Sequence, residues 1–306
     1  MNILSLADMH CDTPFELFYR KASFWKNDLA VSAKKSERYD HFLQVAAVWS
    51  DKALDNDSAY HRTLEIIEHF KCDVEKIKDC SFYINDQNTK IQFILSIEDA
   101  RILGDDINRL YHLHGCGVRI LTPLWCGKSC IGGAYDTVLG LTDFGKQTVK
   151  ACTDLGIIPD ISHASEQSAY DIFDICDGAS PVIASHSNAY SVFSHKRNLT
   201  DEQFTAIRNS DGIVGINLCA EHLGYGAKRS AIDTVITHIE HYLSLGGENT
   251  VCFGCDFDGA KTPPELSDIT SLLSVANALS ALGYSDTLIE KIFYLNARNF
   301  IRKNIK

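Results

Sequence analysis

The sequence predicts an α/β protein built as a (β/α)₈ barrel, and three observations support that fold class. Eight short apolar runs rich in β-branched residues are distributed over the 306 residues. Most are continuous rather than alternating, as expected for parallel strands covered on both faces. Helical patterns lie between them, and an open doubly wound sheet usually has fewer strands. We therefore expect a single TIM barrel.

The predicted strands and helices alternate along the whole chain. Ser165 precedes an amphipathic helical pattern, and Thr200 with Gln203 has the spacing of a capping box. A long apolar stripe from Ile232 to Leu243 ends before paired glycines, which is typical of a helix C-terminus. The predicted strands run over Ile3 to Leu6, Leu43 to Trp49, Ile91 to Ile97, Gly117 to Leu121, Ile157 to Ile161, Pro181 to Ala184, Gly212 to Ile216 and Val251 to Phe253.

The segment from Asp51 to Lys90 is longer than a single crossover between strands. We expect two helices in it, near residues 58–70 and 73–79. No linker rich in proline, glycine or serine and no internal repeat marks a domain boundary. Residues 1–306 are therefore expected to form one catalytic barrel domain.

The composition is that of an ordinary globular chain with an acidic balance. Forty acidic against 29 basic residues give a net charge of −11, which argues against nucleic acid or an anionic membrane as partner. No apolar run approaches the roughly 18 residues that a membrane span needs, and Met1 is not followed by a secretory signal. Eleven cysteines, an odd number, fit reduced thiols. We expect a cytoplasmic protein.

Potential metal ligands follow the predicted strands. His10 and Asp12 lie two residues apart, so both side chains project to one side of an extended segment. Imidazole and carboxylate groups suit zinc or a similar divalent ion, and barrel active sites gather where strands end. The groups just past separate strands are His10, Asp12, Glu98, His163, His186, Asp256 and Asp258. The pattern predicts a metal centre with enough ligands for two ions that share a carboxylate.

Several motifs, in order and spacing, resemble the membrane (renal-type) dipeptidase family of the amidohydrolase superfamily. The resemblance spans nearly the whole chain and is weakest over residues 15–90. The matching segments are Asp8-Met9-His10-Cys11-Asp12, Ser96-Ile97-Glu98, Gly117-Val118-Arg119, Leu141-Thr142-Asp143-Phe144-Gly145, Asp160-Ile161-Ser162-His163, Ser185-His186-Ser187, Arg197-Asn198, Gly254-Cys255-Asp256-Phe257-Asp258-Gly259 and Asn299-Phe300-Ile301-Arg302.

The resemblance implies a zinc-dependent dipeptidase with two zinc ions per subunit. One ion would be bound by His10 and Asp12, the other by His163 and His186, and Glu98 would bridge them. A hydroxide held between the ions would attack the peptide carbonyl of small dipeptides, L-Xaa-D-Xaa included. The resemblance also favours a homodimer.

The resemblance assigns further roles to three residues. Asp256 would accept the proton of the attacking water and pass it to the departing amine, with Asp258 as the alternative. Arg197 would bind the free carboxylate of the substrate. Trp125 stands where mammalian members carry a substrate-binding histidine, and its ring can pack against a substrate side chain.

Trp125 and the unfamiliar segment 15–90 leave other functions open. One is hydrolysis of N-acyl amino acids, lactones or phosphoesters at the same metal site. Another is a non-catalytic metal-binding homologue, against which the presence of Glu98 and Asp256 argues. Outside the predicted site, His238 and His241 are interpreted as a surface pair on a helix.

Overall fold

A computed structural model describes residues 4–83, 89–226 and 229–305 and shows parallel strands surrounded by helices. Seven strands follow one another in the order β6-β5-β4-β2-β1-β8-β7, and β3 pairs beside β4. The ring closes through residues 183 and 184, which form single parallel bridges to Asp160 and Val214. The strands are β1 (Leu6–Cys11), β2 (Phe42–Val48), β3 (Cys80–Phe82), β4 (Ile91–Glu98), β5 (Val118–Thr122), β6 (Ile158–Pro159), β7 (Val214–Ile216) and β8 (Val251–Phe253).

This ring confirms the predicted (β/α)₈ barrel. We number its positions in order around the ring: positions 1 to 5 are β1, β2, β4, β5 and β6, position 6 is the segment 183–184, and positions 7 and 8 are β7 and β8. Parallel strands in such a ring place all their carboxyl ends at one face. The side chains that follow the strands are thereby brought to a common mouth.

Three details of the predicted elements are wrong. Residues from Pro181 to Ala184 do not form a strand but only the two isolated bridges. One helix, Asn56–Val74, replaces the two helices expected near 58–70 and 73–79, and the strand Cys80–Phe82 follows it. β1 begins at Leu6, so His10 lies within the strand rather than past its end. Residue 3 of the first predicted strand lies outside the described residues.

Helices cover the outside of the barrel, and the predicted caps form. The Ser165 hydroxyl accepts the Ser168 N–H, and Thr200 and Gln203 make a reciprocal capping box. The α-helices are α1 (Thr13–Arg20), α2 (Ala33–Ser36), α3 (Asn56–Val74), α4 (Asn108–Gly115), α5 (Asp143–Leu155), α6 (Glu166–Cys176), α7 (Asp201–Asn209), α8 (Ala220–Leu223), α9 (Ala231–Ser244), α10 (Leu272–Ala281), α11 (Asp286–Glu290) and α12 (Asn296–Asn304). Short 3₁₀ segments span Ala100–Leu103, Pro264–Leu266 and Ile269–Ser271, and a π-helical turn spans Lys291–Leu295.

The barrel interior is apolar and is closed at one end by α12. Ala7, Val45 and Ile94 belong to a buried cluster to which every barrel position contributes, together with Phe300 and Ile301 of α12. Burial of this apolar surface stabilises the end of the ring that α12 covers. The buried histidines and carboxylates His10, Asp12, Glu98, His163, His186 and Asp256 lie at the opposite mouth, where the strands end. No helix in the described part of the chain is both long enough and apolar enough to cross a membrane.

Candidate metal centre

The predicted metal ligands meet at the carboxyl ends of the strands, around a cavity of about 560 Å³. They arrive from barrel positions 1, 3, 5, 6 and 8, and all of them are buried. A larger cavity, of about 860 Å³, lies beside Pro181 and Lys303, but no histidine lines it. The buried group at the mouth comprises His10, Asp12, Glu98, His163, His186 and Asp256.

Two histidine nitrogens face each other on one side of the group. Nε2 of His163 lies 3.0 Å from Nε2 of His186 and 3.0 Å from Oε1 of Glu98. The other ring nitrogen of His163 lies 2.8 Å from the carbonyl oxygen of Trp125, which can only accept, so that nitrogen carries the proton. Nε2 of His163 is therefore unprotonated, and its lone pair points towards the cluster.

The ring of His186 is oriented by a buried serine and aspartate. Asp160 accepts the Ser185 hydroxyl at 2.5 Å and the Thr122 hydroxyl at 2.6 Å. Because the Ser185 proton is used in that bond, its oxygen accepts the N–H of His186 Nδ1 at 2.7 Å. Nε2 of His186 is therefore also unprotonated and has a free lone pair. A hydrogen bond of this kind fixes the tautomer and orientation of a metal-binding imidazole.

The other side of the group is built around His10. Its Nε2 lies 3.3 Å from Oδ2 of Asp12, 3.8 Å from Oε2 of Glu98 and 3.9 Å from Oδ1 of Asp256. His10 Nε2 and Asp12 Oδ1 are buried and have no hydrogen-bond partner. Glu98 thus presents one oxygen to each side of the cluster, as a bridging carboxylate does.

The electrostatics of the cluster match this division. Burial lowers the pKa values of His163 and His186 well below the usual range, so both rings are neutral. Burial alone would lower the pKa of His10, yet the charges of Glu98 and Asp12 outweigh it and raise that pKa to about 10. Burial raises the pKa of Glu98. Neutral imidazoles beside crowded carboxylates are favourable surroundings for a divalent cation.

These residues fit a site for a divalent metal such as zinc. Two bare imidazole nitrogens 3.0 Å apart repel each other unless a cation lies near both, and ligands about 2 Å from one zinc ion come this close. Gly259 provides room for the carboxylate, since a Cβ there would lie 1.9 Å from Oδ2 of Asp12. Among the described residues, two sets of three side chains have ligand atoms close enough together to hold a metal ion. They are His10, Glu98 and His186, and His10, Asp12 and Asp256.

The two aspartates after β8 have different surroundings. Oδ2 of Asp256 accepts a hydrogen bond of 3.2 Å from Asn217, and its other oxygen faces His10. Asp258 instead accepts the Thr13 hydroxyl at 2.6 Å and the Ala30 N–H at 2.7 Å. Asp258 therefore ties neighbouring loops together, and Asp256 is the one directed at the cluster.

Among the described residues, seven residues other than glycine have a positive φ, and three of them lie at these positions. His163, Asp256 and Asp258 have φ values of 70°, 60° and 67°. This left-handed conformation costs energy for residues other than glycine and occurs preferentially at functional sites. It turns the chain sharply at the strand ends, and this turn brings His163 and Asp256 towards the cavity.

Asn217 is a site residue that the sequence reasoning missed. It follows β7, and its Nδ2 donates both to Asp256 and to the carbonyl oxygen of His186, each at 3.2 Å. It is itself held by Asn188, whose Oδ1 accepts the Asn217 N–H at 3.0 Å. The position directly after a strand was the available signal, but an asparagine is not a typical zinc ligand.

The predicted substrate-binding residues also line the cavity. Arg197 is 4% exposed, and its Nε is buried without a hydrogen-bond partner. Its guanidinium lies 5.7 Å from the ring centroid of Tyr135 and donates to the carbonyl oxygen of His186 at 3.4 Å. A buried guanidinium with a free donor indicates a site for an anionic group. Trp125 lines the cavity beside His163.

The interpretation of His238 and His241 as a surface pair is wrong for His238. His238 is fully buried, where its Nδ1 accepts the Ala189 N–H and its Nε2 donates to the Leu223 carbonyl. His241 is half-buried and pairs with Asp201 at 2.8 Å. Neither residue lines the cavity at the mouth.

The chain is similar in sequence to known dipeptidases and to related proteins. The sequence profile of the membrane dipeptidase family, peptidase family M19, matches residues 1–304. The chain is 32% identical over 228 residues to an uncharacterised protein in the pqqA 5' region of Klebsiella pneumoniae, covering 70% of this chain and 82% of that one. It is 26% identical over 219 residues to dipeptidase tcpJ of Claviceps purpurea, covering 70% of this chain and 51% of that one.

Solved structures show the same architecture. Dipeptidase AC, a metallopeptidase of family M19, matches with a TM-score of 0.89 at 25% identity, covering 99% of both chains. A metallopeptidase from Rhodobacter sphaeroides, solved with a phosphinate mimic of L-Ala-D-Ala, matches with a TM-score of 0.87 at 24% identity. That match covers 99% of this chain and 100% of the other.

Proposed function

Because the chain belongs to the membrane dipeptidase family, peptidase family M19, we propose that this metallo-dipeptidase uses two zinc ions to hydrolyse small dipeptides, L-Xaa-D-Xaa included. The observation that carries the proposal is the ligand set: bare Nε2 atoms of His163 and His186 on one side of Glu98, and His10 with Asp12 on the other. Each side provides the nitrogen and oxygen ligands that zinc prefers.

The assignment of ligands follows the two sides. His10 and Asp12 would hold one ion and His163 and His186 the other, with Glu98 directing one oxygen towards each side. When bound, such ions polarise a carbonyl and lower the pKa of water, which makes a nucleophile available at neutral pH.

The remaining groups bind the substrate and move the proton. Arg197 binds the free carboxylate of the dipeptide through its buried, unpartnered donor. Asp256 accepts the proton of the attacking water and returns it to the leaving amine. Asn217 holds one oxygen of Asp256, which leaves the other directed at the reacting atoms.

The test is an assay of zinc-loaded protein on matched L,L- and L,D-dipeptides, beginning with L-Ala-L-Ala and L-Ala-D-Ala. We expect metal-dependent turnover that His163→Ala abolishes and that His241→Ala, outside the cavity, retains. Zinc content together with the circular dichroism spectrum of each variant separates loss of metal from loss of fold. Turnover of N-acyl amino acids, lactones or phosphoesters but of no dipeptide would contradict the proposal, as would bound zinc without any turnover.

A further inference from the structure

We propose that three aromatic side chains form the subsite for the N-terminal side chain of the substrate, so that dipeptides with a large apolar or aromatic N-terminal residue are preferred. This inference rests on the proposed dipeptidase function. The three residues are Phe15, Trp49 and Trp125, which we call the aromatic wall. All three line the cavity that contains the metal ligands.

The aromatic wall is a continuous surface. The ring centroids of Phe15 and Trp49 lie 5.2 Å apart with an angle of 65° between the planes, and those of Trp49 and Trp125 lie 5.1 Å apart at 57°. Such edge-to-face contacts fix the rings relative to one another. A rigid apolar wall in a cavity contributes to binding. The substrate side chain that covers it is removed from water, and no protein side chain has to become ordered on binding.

The backbone also fixes the wall close to the reacting centre. Trp49 directly follows β2, and Phe15 lies in the first turn of α1, three residues after Asp12. The carbonyl oxygen of Trp125 accepts the hydrogen bond from His163 Nδ1. The aromatic wall is therefore adjacent to the metal ligands Asp12 and His163.

Part of the aromatic wall lies across the mouth from Arg197. The wall residues follow β1, β2 and β5, which are barrel positions 1, 2 and 4. Arg197 lies in the segment between positions 6 and 7 and donates to the carbonyl oxygen of His186, which follows position 6. In a ring of eight, position 6 is opposite position 2, so Trp49 is across the ring from Arg197. Trp125 follows position 4, midway around the ring between the two.

This arrangement sets the direction of the substrate. With its C-terminal carboxylate on Arg197 and its peptide carbonyl near Glu98, a dipeptide extends its N-terminal residue towards the aromatic wall. A phenylalanine or leucine side chain covers the rings, whereas an alanine side chain leaves most of the wall in water. Apolar pockets discriminate by about tenfold to a hundredfold for differences of this size.

The test compares two of the three tryptophans of the chain. Trp49 belongs to the wall, and Trp25 is 47% exposed and outside the cavity. For zinc-loaded protein we expect kcat/KM for L-Phe-D-Ala to exceed that for L-Ala-D-Ala by about tenfold or more. Trp49→Ala should reduce this ratio at least threefold, while Trp49→Phe retains most of it and Trp25→Ala leaves it unchanged.

A second pair of variants covers the case in which Trp49→Ala does not fold. Phe15→Ala should reduce the same ratio, and Phe18→Ala, on the same helix but outside the cavity, should not. Equal kcat/KM values for both substrates, or a ratio that persists in Trp49→Ala and Phe15→Ala, would overturn the aromatic subsite and leave the dipeptidase function intact. Absence of turnover on every dipeptide would overturn the proposed function itself.

Discussion

At the scale of single residues, the two aspartates after β8 show how neighbouring identical side chains acquire different roles. Asp256 faces His10 and is held by Asn217, while Asp258 is bonded to Thr13 and Ala30. Burial, together with the nearby charge of Asp12, raises the pKa of Asp256, which suits a group that accepts and returns a proton. Both oxygens of Asp258 instead accept hydrogen bonds from the neighbouring loops.

Substitution of each aspartate by asparagine should separate these roles. Asp256→Asn removes the proton acceptor, so we expect kcat to fall by about 10²-fold to 10⁴-fold while zinc content is retained. Asp258→Asn weakens the bonds to Thr13 and Ala30 and should lower the free energy of unfolding by about 1–3 kcal/mol. Steady-state kinetics, zinc analysis and urea unfolding of both variants check this. A larger loss of kcat in Asp258→Asn than in Asp256→Asn would contradict it.

At the scale of elements, α9 shows what helical spacing predicts and what was missed. Within the predicted apolar stripe, Val235, Ile236, Ile239 and Tyr242 are buried, and the helix ends at Ser244 before the paired glycines. His238 lies three residues after Val235 and four before Tyr242, so it belongs to the same stripe. The helical spacing therefore predicts burial of His238, whereas its residue type favours the surface.

Burial of His238 predicts acid sensitivity of the fold. Burial lowers the pKa of His238 to about 4, against about 6.5 in the unfolded chain. The neutral ring stabilises the protein fully above pH 6.5, and that contribution, on the order of 3 kcal/mol, is lost as the pH falls from 6.5 to about 4. His238→Gln keeps a donor for the Leu223 carbonyl and removes the titration.

Urea unfolding across this pH range provides the measurement. We expect the free energy of unfolding to fall less steeply with decreasing pH in His238→Gln than in the wild type. His61→Gln, at an exposed position of α3, should have the slope of the wild type. Identical slopes for the wild type and His238→Gln would show that His238 does not titrate in this range.

The strand ends explain why much of the site could be predicted and why some elements could not. His163 and His186 follow apolar runs that are visible in the sequence, and a parallel barrel brings such positions together whatever the exact strand bounds are. The segment Pro181 to Ala184 has strand-like composition, but whether it forms a ladder depends on the alignment of its neighbours. The strand Cys80–Phe82 is short and half-buried, so its apolar pattern is too brief to recognise.

At the scale of the whole molecule, the net charge of −11 is partly a property of the site. Asp12, Glu98 and Asp256 are buried together within the barrel mouth, where their mutual repulsion opposes folding. Two divalent ions would offset four of the negative charges. Metal binding and folding stability are therefore expected to be coupled.

Removal of metal should lower stability measurably. A ligand at 1,000 times its dissociation constant stabilises the folded state by about 4 kcal/mol, so a chelator should lower the melting temperature by several degrees and added zinc should restore it. Thermal melts with chelator, with zinc, and for Asp12→Ala and His163→Ala check this, since both variants should lose most of the response. A melting temperature of the wild type that is the same with and without zinc would contradict the coupling.

The ring of strands has a weakly hydrogen-bonded side, which bears on how the barrel is assembled. β2 pairs with β4 along its whole length, whereas β6 has two residues and position 6 has only single bridges. Long ladders can form early during folding, and closure of the ring must wait for the short ones. His163 and His186 lie just past these two short positions. A metal ion held by both histidines would therefore connect two positions of the ring that have only short ladders.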